Sequence, residues 1–231
     1  MSSNLEQFII NLLAVLLVTF SASIHEFGHA MAAHLCGDDT AKEAGRLTIN
    51  PLAHIDPFGS VVMPLLLVMS GLGYMAYAKP VPYNPYRLKN PQRDEAIVAL
   101  AGPASNIAQA LVGALLYHLL AMLLFGVDGQ ASLDSPLKMV LYWLVLLTSA
   151  YVQINCSLAF FNLLPIPPLD GSKIISPFFK GESRRIYYQI QQYAFPVTLA
   201  VIFLLPTVLH IDPIGWYLNV TAGNLGDLLL G

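Results

Sequence analysis

Residues 8–29 read FIINLLAVLLVTFSASIHEFGH, an apolar run that ends in two histidines and a glutamate. No charged side chain occurs from residue 8 to residue 24, which suits a helix that crosses a bilayer. His25 and His29 are spaced i and i+4, so on a helix both imidazoles lie on one face, within reach of a single Zn²⁺. Glu26, beside the first histidine, is placed to take a proton from a water on that metal. Ionisable groups at membrane depth are costly to desolvate and usually mark function. The stretch predicts a membrane helix that carries a metal site, with zinc-dependent peptide hydrolysis within or at the edge of the membrane as its chemistry.

Composition supports that setting. The 231 residues are 56% hydrophobic and 11% charged, with a net charge of −3, against about 25% charged in soluble domains. Mean hydropathy is +0.62. The first run is too long for a cleaved signal peptide and reads as a permanent span. Cys36 and Cys156 have neither disulfide-scaffold nor metal-motif spacing. No basic patch with interleaved aromatics is present, so nucleic acid is not an expected partner.

The predicted fold is an all-α polytopic membrane protein forming one intramembrane domain over 1–231. It is a bundle of about four transmembrane helices, with core spans at 7–35, 94–125 and 138–165 and a C-terminal span at 193–210. Residues 57–77, broken by Pro64, Gly71 and Gly73, form a re-entrant or extra span. An interfacial helix at 213–231 has Trp216 and Tyr217 as anchors. Short β-strand or loop elements are expected near the active site, above all in the polar stretch 37–56 and in AKPVPYNPYRLKNP at 78–91, whose four prolines exclude a helix. Lys79, Arg87, Lys89 and Arg93 in one loop, and Lys173, Lys180, Arg184 and Arg185 in another, put both on the cytoplasmic side of a cell membrane by the positive-inside rule.

A catalytic zinc needs a third protein ligand and an open position. Asp170, after the proline-broken stretch FNLLPIPPLDG (161–171), is the candidate; the same position also suits the cap of a helix over 171–180. HEFGH in a first span, AGPASN (101–106) opening a later one and FNLLPIPPLDG closing the next resemble the site-2 protease family of intramembrane metalloproteases. GRLTINPLAHIDPFG followed by AKPVPYNP is similar to the compact bacterial type that lacks a PDZ or CBS domain. The resemblance implies one catalytic Zn²⁺ held by His25, His29 and Asp170, Glu26 as general base, and transmembrane protein segments as substrates, cut in regulated intramembrane proteolysis. It also implies a role for Asn162 in holding substrate or a developing oxyanion.

Other residues are weaker candidates. Thr148, Asn155 and Asn162 recur every seven residues as a polar stripe, which suits hydrogen bonds between helices at Asn155 and Thr148. Gly102 and Asn106 belong to a small-residue face for close helix packing, with Asn106 a candidate for orienting a group in the site. His54, beside Asp56, is either a substrate or zinc contact at the site's mouth or a solvated loop residue. Segments 45–50 and 77–84 are expected to offer edge strands for an unwound substrate. The rival functions are a metal transporter, for which no repeat or second half-site is found, and a catalytically silent scaffold that binds membrane proteins, which would not need Glu26.

Overall fold

Three long helices follow from three uninterrupted apolar stretches. The structure, a computed structural model, describes residues 3–70, 78–126 and 135–231. Its helices are α1 (Ser3–Leu35), α2 (Thr40–Glu43), α3 (Met63–Ser70), α4 (Pro91–Phe125), α5 (Pro136–Asn162), α6 (Asp170–Ile175), α7 (Glu182–Leu204), α8 (Pro213–Leu218) and α9 (Asn224–Leu230). Phe8–Leu35 of α1, all of α4 and all of α5 are long and apolar enough to cross a membrane. Local chemistry sets the starts of α4 and α5. Pro91 and Pro136 occupy first-turn positions where no amide is missed. Ser135 accepts from the Lys138 amide, and the Asp94 carboxylate accepts from the Asn90 amide at 2.8 Å.

α4 lies between the other two long helices, and small residues let it approach both. A Cβ on Gly28 of α1 would meet the Ala101 carbonyl of α4 at 2.9 Å. On the opposite side Ala110 and Ala114 pack against Val152 and Cys156 of α5 in a buried cluster that also takes in Ala222. With helices this close, packing and interhelical hydrogen bonds hold the bundle, since lipid offers no hydrophobic drive between spans.

The remaining apolar segments depart from expectation. Among the described residues three helices are long and apolar enough to cross, where about four were expected. The stretch 193–210 forms the second half of α7 and a π-helical turn, Leu205–Leu209, behind a polar first half (ESRRIYYQIQQ). Pro57–Val62 is π-helical and runs into α3. Residues 71–77, which decide whether 57–77 crosses or turns back, lie outside the described residues. At the C-terminus Trp216 is exposed. The last helix packs inward: Leu225, Leu229 and Leu230 rest on the α4–α5 cluster, and Leu229 O accepts from His118 Nε2 at 2.9 Å.

No β-strand is present among the described residues, which corrects the expected edge strands at 45–50 and 77–84. In the second segment Pro80 and Pro82 have no amide to donate to a ladder. The Lys79 amide bonds His54 O (2.8 Å), the Val81 amide bonds Glu26 and the Asn84 amide bonds Asp38 Oδ2 (2.6 Å). The first segment turns at Gly45 (φ 68°) and ends in a 3₁₀ turn, Pro51–Ala53, capped by Asn50.

Asp38 anchors this strap. Its buried carboxylate accepts from the Thr40 amide and hydroxyl and from the Asn84 amide. Burial alone would raise the Asp38 carboxyl, but the bonds from Thr40 and Asn84 outweigh it and hold the group below the usual range. A depressed native value stabilises the fold above the unfolded value of about 3.9. That stability is lost as pH falls through the native value. Asp38→Ala should therefore cost about 2–3 kcal/mol at neutral pH, read as a lower Tm in detergent. The gap to the parent should narrow as the solution is acidified below about pH 4.

Candidate active site

α1 brings His25 and His29 to one face, and α6 brings Asp170 to meet them. His25 Nε2 and His29 Nε2 lie 3.0 Å apart, and Asp170 Oδ2 lies 3.1 Å from the first and 3.2 Å from the second. These three atoms form the group among the described residues that can hold a metal ion. Asp170 does not cap its helix: the cap position is Leu169, and no side chain bonds the first turn there. Gly171 explains how α6 comes so close, since a Cβ there would run into the carbonyls of Leu163 and Leu164. Tyr187 of α7 braces α6 by donating to Ser172 O at 2.9 Å, and Thr198 donates to Pro167 O at 2.7 Å.

Each histidine is oriented through its other nitrogen, and both partners are on α4. His29 Nδ1 lies 2.7 Å from Val98 O, and His25 Nδ1 lies 2.6 Å from Asn106 Oδ1. A backbone carbonyl only accepts, so His29 carries its proton on Nδ1. Between Val98 and Asn106, on the same i, i+4, i+8 stripe, stands Gly102. A Cβ there would overlap His29 Nε2 and come within 2.6 Å of His25 Cε1. The imidazoles thus rest on bare backbone.

This donor set fits zinc. Two Nε2 lone pairs and a carboxylate oxygen face one another at about 3 Å, an arrangement that repels itself until a cation joins it. A tetrahedral zinc with bonds of about 2.05 Å has ligand–ligand edges of about 3.3 Å, close to the spacings observed.

The triad opens into a cavity of about 640 Å³ whose wall also includes Glu26 and Asn162. Glu26 Oε2 accepts from the Val81 amide at 2.8 Å, so the strap 78–84 lies against the motif. Asn162 Nδ2 donates to Leu158 O of its own helix, and its side chain faces the cavity. His54 is placed elsewhere: it is fully buried, its Nε2 donates to Thr48 O at 2.8 Å, and it does not line the cavity. It is neither solvated nor at the metal group because its ring closes the 48–54 turn. Of the polar stripe on α5, Asn155 bonds across helices, whereas Thr148 bonds back to Leu144 O and Val145 O of its own.

Three cavity residues were not expected from the sequence. Tyr83 donates to Glu95 Oε1 at 3.1 Å, and Lys173 Nζ stands 5.2 Å from the Tyr83 ring centre. Lys173 follows Asp170 by three positions, a shared helix face that the sequence displays once α6 is known. Glu95 carries no such signal.

Comparison with known proteins agrees with this geometry. Peptidase family M50 matches residues 13–205. A Bacillus subtilis protein named "Putative zinc metalloprotease YwhC" is 36% identical over 93% of this chain and 86% of its own. A Mycobacterium tuberculosis protein named "Putative zinc metalloprotease Rip2" is 33% identical over 87% of this chain and 68% of its own. No solved structure matches the chain.

Proposed function

The chain belongs to peptidase family M50, the site-2 protease family, and from that premise we propose that it is an intramembrane zinc endopeptidase acting on transmembrane helices in regulated intramembrane proteolysis. Family membership and three apolar helices make it a membrane-associated metallopeptidase; the substrate class and the site roles are our reading. The observation that carries it is the convergence of His25 Nε2, His29 Nε2 and Asp170 Oδ2 within 3.0–3.2 Å beside Glu26. In this reading the whole chain is one catalytic domain with its site near the cytoplasmic face, where the basic loops at 79–93 and 173–185 lie.

His25, His29 and Asp170 would hold one Zn²⁺, which when bound polarises the scissile carbonyl and lowers the pKa of a water to about 7. Glu26 Oε2 is engaged by the Val81 amide, so Oε1 is the oxygen that takes the proton from the attacking water. The same oxygen then passes that proton to the leaving amine. Asn162, on the cavity wall, offers its amide to the substrate carbonyl or the oxyanion formed from it. The apolar walls, with Phe161, Leu158 and Ile202 among them, exclude bulk water and suit a substrate segment unwound from a helix.

Reconstituted into liposomes with a single-span substrate, the protein should release two fragments. 1,10-Phenanthroline should stop cleavage and added Zn²⁺ should restore it. Cleavage that persists after the metal is removed and none remains by elemental analysis would rule out the zinc mechanism.

A further inference from the structure

Behind the metal group runs a chain of buried amides whose direction can be read from heavy-atom positions alone. Asn106 Nδ2 lies 2.9 Å from Asn155 Oδ1, and Asn155 Nδ2 lies 2.9 Å from Tyr151 O and 3.0 Å from Ser21 Oγ. Ser21, Asn106 and Asn155 are all 0% exposed, so water does not compete for any of these bonds. Tyr151 O is a backbone carbonyl and can only accept. Asn155 must therefore turn its amino group to Tyr151, which leaves its carbonyl oxygen facing Asn106. Only the amino group of Asn106 can meet that oxygen, so the carbonyl of Asn106 faces His25. The proton in that 2.6 Å bond then resides on His25 Nδ1.

We infer that Asn155 is a positioning residue for the metal site: through Asn106 it sets the tautomer of His25 that leaves Nε2 unprotonated and free to bind zinc. The carbonyl of Tyr151 is the fixed end of the chain, and each amide passes its polarity forward over three helices, α5 to α4 to α1. Without Asn155 the Asn106 amide loses its restraint and can rotate, presenting its amino group to His25 Nδ1. That arrangement favours the tautomer with the proton on Nε2, where the metal must bind. His29 needs no such relay, because Val98 O orients it directly.

The inference rests on His25 being a metal ligand, and the experiment separates the two ideas. Zinc affinity of the full-length protein in detergent is measured by chelator competition, with the visible spectrum of the Co²⁺-loaded form as a second readout. Asn155→Leu keeps the branched shape but removes the amide. It should bind zinc about 10- to 100-fold more weakly and weaken or shift the Co²⁺ bands, while the zinc-free protein melts as the parent does. Asn155→Ala carries the same expectation should the leucine variant fail to fold. Asn155→Asp is the conservative rescue. Buried against Tyr151 O its carboxyl must stay protonated, so the other oxygen still accepts from Asn106, and zinc affinity should stay near the parent's. A folded Asn155→Leu or Asn155→Ala protein that binds zinc like the parent overturns the inference, as does an Asn155→Asp protein that loses zinc equally. A parent that binds no zinc overturns the metal assignment itself.

Discussion

Glu26→Gln is expected to lower the cleavage rate by about 10²–10⁴-fold, the usual contribution of a general base, while zinc content stays at the parent level. The side chain keeps its length and an oxygen that can still accept from the Val81 amide, so the 2.8 Å contact with the strap survives. What disappears is an oxygen able to hold a proton between attack and departure of the amine. Elemental analysis of the purified variant, beside cleavage of a single-span substrate, reads both quantities. This variant also separates the rival functions, because a transporter or a silent scaffold would be largely indifferent to it. Unchanged cleavage would remove Glu26 from the reaction.

Gly102→Ala should lower zinc affinity by about 100-fold. The added methyl would overlap His29 Nε2 and crowd His25 Cε1, so both rings must leave their places or α4 must move away from α1. Helix propensity argues the other way, since alanine in mid-helix is favoured over glycine by about 1 kcal/mol. The zinc-free variant should therefore keep its helix content and melt no lower than the zinc-free parent, with the loss confined to the metal. Circular dichroism and zinc competition together measure this. Parent-like zinc affinity would mean that the imidazoles do not rest on residue 102.

Much of this site is legible in the amino-acid sequence. The i, i+4 histidines stand out because the residues before them are apolar, and Asp170 stands out because three prolines free the chain to turn beside it. Asn106 and Gly102 are visible as small or polar residues on an apolar helix, although their partners are not. The failures have physical causes. The extended run 78–84 resembles a strand, but its prolines remove ladder donors, and the Asn84 and Val81 amides bond side chains that lie 46 and 55 positions earlier. His54 has the neighbours of a loop residue, yet its ring bonds a carbonyl six residues back and is fully buried. Periodicity reports which face of an element is apolar. It carries no information about a tertiary partner such as Val98 O, because every residue has a carbonyl.

The stripe of Val98, Gly102 and Asn106 on α4 makes the catalytic motif a register key for the membrane bundle. Its carbonyl, its gap and its amide accept His29 and His25 in only one alignment of α1 against α4. A slip of one helical turn, about 5.4 Å, would bring either the Val98 or the Asn106 side chain to the gap that the two imidazoles occupy. Spans in lipid depend on such polar and small-residue contacts for their register, since an apolar surface packs tolerably at several offsets. A chain with these helices misaligned would have no place for its two histidines, so correct assembly and a competent metal site are achieved in the same step.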